Sequence, residues 1–300
     1  MTETTNLRQA DAKVEVLGIL SEKKLEEVTV DGKKIIRGDL VIQTGDINFI
    51  TFNVYVSEKK NDGNENPAYK GMKTIMEEYK SVATAGREAA TKVFVSEKSG
   101  QFRPNSYVGR DKQVSVSARF QSMFFNEYKG SLEDFEPYAK FEIEMVIASM
   151  VPETDKEGEE TGRVVVKGWM PTYSGIEPVT LVATEETAGA LLDDYVPNNT
   201  VKFFGDIVNS RAVIDETIPV KIGKPKVRKK TIYKNEMVIT GASEPYGEDS
   251  DFPTPEPYDL EAVRKAITDR EMKLDEEVKK AKEAEGKVNA PKARTGLPNF

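Results

Sequence analysis

The 300-residue chain has no cysteine and no histidine. The first absence removes a disulfide framework and any thiolate metal site. The second removes histidine triads, the commonest general base and the commonest metal ligand. There is one tryptophan, and no apolar run approaches the roughly 18 residues of a membrane span. The opening MTETTNLRQADAK has neither the charged-then-apolar order of a signal peptide nor an Arg-rich transit pattern. A Walker A loop, a dinucleotide fingerprint and an EF-hand loop are also missing. These absences predict a non-enzymatic protein with no cofactor, no metal and no membrane partner. The expected location is the cytoplasm, that of the host cell if the protein is viral.

What is present is a module written twice. KVEVLGILSE at 13–22 aligns with KFEIEMVIAS at 140–149 at a constant shift, Lys13 meeting Lys140 and Glu15 meeting Glu142. Each opening strand is followed by a polar stretch, EEVTVDGKK or TDKEGEETG, read as a hairpin loop. A second strand follows, with Ile35-Ile36-Arg37-Gly38 matching Val165-Val166-Lys167-Gly168. Third strands are NFITFNVYV at 48–56 and EPVTLVAT at 177–184, rich in β-branched and aromatic residues. A helix is expected after each. The first is capped by Asn66 with Pro67 at its first position, carries Met72, Ile75, Met76, Tyr79, Val82 and Ala83 on one face, and stops at Gly86. The second is capped by Thr184. Both contain acid-acid-tyrosine, Glu77-Glu78-Tyr79 and Asp193-Asp194-Tyr195. Fourth strands are expected at 92–97 and 200–208, and fifth strands at 113–125 and 230–240.

This order predicts a mainly β protein of two tandem OB-fold-like five-stranded barrels, each with a helix between strands 3 and 4. Two unrelated antiparallel β domains, or one large sandwich, are the alternatives. The expected division is a flexible N-terminus at 1–12, a first barrel at 13–133, a second at 134–242, and an acidic linker, helix and tail at 243–300. In the tail helix, Leu260, Val263, Ile267, Leu274, Val278 and Ala281 form a narrow apolar stripe.

OB barrels bind oligonucleotides across strands 2 and 3 and the 1–2 and 4–5 loops. In the second copy, alternation puts Arg163, Val165, Lys167 and Trp169 on one face of strand 2, with Val164, Val166 and Met170 on the other. Trp169 beside two cations suits base stacking next to phosphates, or else packs into a core. In the first copy Phe49 and Tyr55 are the stacking candidates, with Arg37 in the position of Lys167. In 113–125, Val114, Val116, Phe120 and Phe124 are expected to point inward, and Arg119 and Gln121 outward. The clearest charge signal is IPVKIGKPKVRKKTIYKN at 218–235, read as the 4–5 loop of the second copy. It carries Lys221, Lys224, Lys226, Arg228, Lys229, Lys230 and Lys234 with no acid, and includes Tyr233. A second group around the first barrel includes Arg103, Tyr107, Arg110 and Lys112. The net charge of −8 does not oppose an anionic ligand. Six acids lie between Ser243 and Asp259, and local potential governs binding more than the total.

With these parts the chain resembles a bacteriophage-type single-stranded DNA-binding protein over about residues 13–242. NPAYKG at 66–71 and TGRVVVKGWMPTYSG at 161–175 are the local echoes. The resemblance implies sequence-independent coating of single-stranded DNA in replication or recombination. It also implies a C-terminal tail that recruits replication or recombination proteins, and leaves oligomeric state open. Such tails end in acids followed by Pro-Phe. Here the acids around Asp251-Phe252-Pro253 are internal, and Leu297-Pro298-Asn299-Phe300 has basic neighbours. A viral tail or capsid component is the competing class, and a carboxylate nuclease a third, for which no spaced acidic cluster is present. The tail's acids also raise the possibility that it occupies the cationic 4–5 arm when DNA is absent.

Overall fold

A computed structural model describes residues 7–131, 133–218, 226–247 and 255–288. The first half of the chain forms β1 (Ala12–Val30), β2 (Lys33–Gln43), β3 (Phe49–Ser57), α1 (Pro67–Glu78), α2 (Val82–Ala85), β4 (Lys92–Val95), β5 (Gln101–Val108), β6 (Val114–Gln121) and β7 (Asn126–Glu127). The second half forms β8 (Tyr138–Thr154), β9 (Glu160–Thr172), β10 (Gly175–Ala183), α3 (Glu185–Asp194), β11 (Thr200–Ile218) and β12 (Lys226–Ala242), with α4 (Leu260–Val288) after it. In the first half β1 pairs with β2, β2 with β3, β3 in parallel with β6, β6 with β5, and both β5 and β4 return to β1. In the second half the ring is β8–β9–β10–β12–β11 and back to β8, with β10–β12 again the parallel pair. Both halves are OB barrels, with a helix between the third and fourth strand positions.

Local chemistry explains the pattern. Along β3, Ile50, Phe52, Val54 and Val56 are buried while Thr51 and Tyr55 are exposed. A one-residue slip would turn all four into water, at about 1.5–3 kcal/mol for each side chain. The echoed glycines have a shared reason. A Cβ on Gly38 (φ +135°) would lie 1.9 Å from the Lys24 carbonyl oxygen, and one on Gly168 would lie 2.7 Å from that of Val146. Strand 1 passes too close to strand 2 in each barrel for any side chain there. The echoed tyrosines also match. Tyr79 and Tyr195 are the C-caps of α1 and α3, and their hydroxyls donate to the carbonyls of Phe125 and Ser243, each just past its own barrel's last main strand. Lys23 binds the end of α1, donating to the carbonyls of Ile75, Met76 and Tyr79 at 3.0, 2.6 and 2.8 Å.

The two barrels merge through their first strands. β1 pairs antiparallel with β8, placing Lys13 opposite Glu142, Val14 opposite Phe141 and Glu15 opposite Lys140. The duplicated stretch therefore pairs with its own copy, about a pseudo-twofold axis at Val14 and Phe141. Lys13 lies 3.4 Å from Glu142, and Lys202 adds contacts of 2.7 Å to Glu142 and 2.8 Å to Asp11.

The connections differ from the sequence reading. EEVTVDGKK is almost all strand, turning only at Asp31 and Gly32, whose φ values of 49° and 74° suit a two-residue hairpin turn. The first helix breaks at Tyr79, and Ser81 starts the separate α2. β5 has no counterpart in the sequence reading; it pairs with β6 as a hairpin, and there Val114 and Val116 are exposed, as is Phe124 beyond the strand, while Phe120 points inward. Within the stretch 209–229, expected to be a long connection, the described residues 209–218 and 226–229 are strand instead, part of a ribbon of β11 and β12.

Described residues towards both ends are also held. Ala10, assigned to a flexible N-terminus, is buried, and its N–H donates to the Pro171 carbonyl. Arg8 grips both carboxylate oxygens of Glu144, a side chain only 2% exposed, and donates to the Tyr258 hydroxyl at 3.0 Å. Tyr246 and Tyr258, from the stretch expected to be a linker, are both buried. α4 turns Val263, Ala266 and Leu274 inward and packs on β10 and β5, one strand from each barrel. Among the described residues no helix is long and apolar enough to cross a membrane.

Candidate nucleic-acid interface

The outward face of the first barrel gathers five of the candidate residues. Register puts Arg37 opposite Tyr55 on β2 and β3, and Asp39 opposite Asn53. The β3–β6 pairing continues that face from Asn53 to Gln121, and hence to Arg119. β5 then places Arg103 directly opposite Arg119 and Tyr107 opposite Ser115. Tyr55 is 66% exposed and Tyr107 43%. Arg37 has one exposed partner, Glu26 at 2.8 Å, a pair of the kind worth little in water. Arg103 donates to the Gln101 side chain, and among the described residues neither Arg103 nor Arg119 has a carboxylate partner. Like charges opposite one another cost stability in a sheet unless an anion lies between them. Arg110 and Lys112 lie in the turn beyond, with Arg110 exposed.

The matching face of the second barrel is engaged. Lys167 is exposed, but Arg163 lies 3.2 Å from Glu153 and 2.6 Å from Glu236. Burial pushes the Glu236 carboxyl up, and Arg163 and Lys234 outweigh it, holding it below the usual range. Trp169 is half-buried against the core, and the Arg270 guanidinium of α4 lies over its ring, 5.6 Å from the centroid. Arg270 is also 3.5 Å from Glu177 and donates to Ser106 of the first barrel. The indole, which the sequence left as either a stacking platform or a packed residue, is thus under the tail helix. Where Trp169 faces Pro178, the first barrel has Asp39 facing Asn53, joined by a 2.6 Å hydrogen bond.

From Lys226 onward the basic run is a strand, so its described cations divide between two faces. Lys226, Arg228, Lys230 and Lys234 alternate onto one side of the ribbon; Lys229 and Tyr233 take the other. Tyr233 is 64% exposed. Lys221 and Lys224 lie outside the described residues. The Tyr233 side of the ribbon faces Phe49 across a cleft of about 830 Å³ between the barrels. The structure thus brings Phe49 and Tyr233 to one cavity. It adds Arg211, Asn209 and Asn235, which sequence reasoning did not single out. Arg211 sits opposite Tyr233 and Asn209 opposite Asn235; only the β11–β12 register, invisible in the sequence, brings them there. Tyr173, 95% exposed at the β9–β10 turn, was also passed over.

The fold is thus a pair of OB-type barrels, the first with arginines and exposed tyrosines on its outer face. The chain belongs to the YorF family, whose model matches residues 11–280. Among solved structures it is similar to the single-stranded DNA-binding protein from Thermus aquaticus, at 11% identity over 83% of this chain and 97% of that one, with a TM-score of 0.44. A deletion mutant of that protein aligns at 12% identity over 83% and 99%, with a TM-score of 0.45. No curated protein matches the chain.

Proposed function

We propose that this protein binds single-stranded DNA without catalysis and largely without regard to sequence, in phage DNA replication or recombination. The observation that carries the reading is the exposed outward face of the first barrel. An Arg103–Arg119 pair, with no carboxylate partner among the described residues, lies there between Tyr55 and Tyr107, so phosphate and base contacts are both on offer. The cationic side of the β11–β12 ribbon extends the phosphate track. Recruitment of replication or recombination proteins by the tail belongs to the same proposal, as does a place in the cytoplasm; the residues around Asp251-Phe252-Pro253 lie outside the described residues. The test is anisotropy of a labelled oligo-dT at rising salt. Binding should weaken as salt rises, and Arg103→Gln with Arg119→Gln should weaken it further. An oligonucleotide that stays unbound at low salt would sink the reading.

A further inference from the structure

We infer that the cleft between the barrels is a base-binding site, which takes unpaired nucleobases while their phosphates stay outside on the cationic faces. The inference rests on the single-stranded DNA reading and adds where the bases go.

The lining suits bases better than phosphates. Phe49 comes from β3 of the first barrel and Tyr233 from the ribbon of the second. Both are rings available to a base face. Asn209 and Asn235, paired in register, supply amide donors and acceptors of the kind that base edges use. The wall holds two cations, Lys24, which lies against Glu22, and Arg211, which has no ion pair among the described residues. A phosphate track needs a row of free cations, whereas a planar guanidinium beside aromatic rings suits a base. The wall's carboxylates do not repel the ligand, because Lys24 holds Glu22, and Arg163 and Lys234 hold Glu236.

The cleft is also built in advance. Asn48, in the turn before β3, donates to the Ile207 carbonyl at 3.0 Å and accepts from the Asn209 N–H at 2.6 Å. The Arg211 N–H donates to the Ile47 carbonyl at 2.8 Å. These bonds pin the root of the ribbon to the first barrel and fix the cleft's width before any ligand arrives, so binding does not spend energy on ordering it. The volume lies within the usual range for pockets that enclose a small ligand. Bases of a duplex are turned towards each other and cannot enter, so the same cleft would select single strands.

The test compares two oligonucleotides of equal length, oligo-dT and a fully abasic strand with the same phosphates, on the full-length protein. Tyr233→Ala should bind oligo-dT about tenfold more weakly. It should bind the abasic strand as wild type does, with the salt slope unchanged. Tyr233→Phe should restore oligo-dT binding, and Phe49→Leu, which keeps an apolar side chain but not the ring, should repeat the selective loss. Equal losses on both strands, or no loss on either, would overturn the base site while leaving the single-stranded DNA reading intact. If the wild type binds neither strand, that reading and the base site fall together.

Discussion

Trp169 shows how one side chain changes meaning with its surroundings. Its alternation with Lys167 was legible in the sequence, but its cover was not, because Arg270 arrives from a helix 101 positions later with no local signal. Trp169→Ala should therefore lower the melting temperature while leaving oligo-dT affinity nearly unchanged. Arg270→Gln should shift the emission of the single tryptophan to the red as water reaches the ring. It should also cost about 2 kcal/mol in urea unfolding, since Glu177 is left largely buried without its cation. Asp11 gives a pH signature. Its hydrogen bond from Lys202 holds its carboxyl below the usual carboxylate range. The stability it brings is present above the ordinary value of about 4 and is lost as pH falls through the lower folded value. Urea midpoints should stay level from about pH 5.5 to 8, where no histidine titrates, and fall below about pH 4. Lys202→Met should make that acid-side fall shallower.

At the scale of elements, the strands with strict alternation, such as β3 and β9, were legible because one face is core and the other is not. Beyond the expected strands at 200–208 and 230–240, the β11–β12 ribbon was not legible. Its cations alternate with Val227, Thr231 and Ile232, but neither face is buried in a core, so composition alone read as loop. What makes it a strand is its partner, a pairing that runs in register from Asn209–Asn235 out to Ile218–Lys226. β5 escaped for a different reason: Pro104 sits within it, and only Phe102 and Pro104 of its residues are buried. The ribbon carries its own prediction. Neutralising Lys226, Arg228, Lys229 and Lys230 should weaken binding to all sequences alike. The slope of log K against log salt should shrink by up to about 0.7 for each phosphate that no longer meets a cation. Thermal melting should barely move, because this part of the ribbon is solvent-exposed.

For the molecule as a whole, the duplicated order of elements carried the two-barrel architecture, and its echoed glycines and tyrosines fall on equivalent structural tasks. The sequence could not show how the halves join, since a strand pairing across more than a hundred residues leaves no periodic trace. Nor could it show that the tail is part of the fold. Deleting everything after Ala242 removes Tyr258, which meets Arg8 beside the buried Glu144, and the whole of α4. Such a truncation should melt several degrees lower in calorimetry, a drop of the size expected for about 2–3 kcal/mol in a chain of this length. A truncated protein as stable as the full chain would show that the tail merely rests on the barrels.

The pairing of β1 with β8 reaches further than its hydrogen bonds. Lys13 faces the copy of Glu15, and Glu15 faces the copy of Lys13, the reciprocity that defines a twofold contact between identical subunits. Here one chain supplies both sides. A contact of that kind between separate molecules would come apart on dilution, whereas a tether holds its two sides at a fixed, high effective concentration. Each barrel is thus released from having to suit an identical twin. That freedom is visible in the outcome: one copy keeps its outer face open, and the other has given its face to the tail.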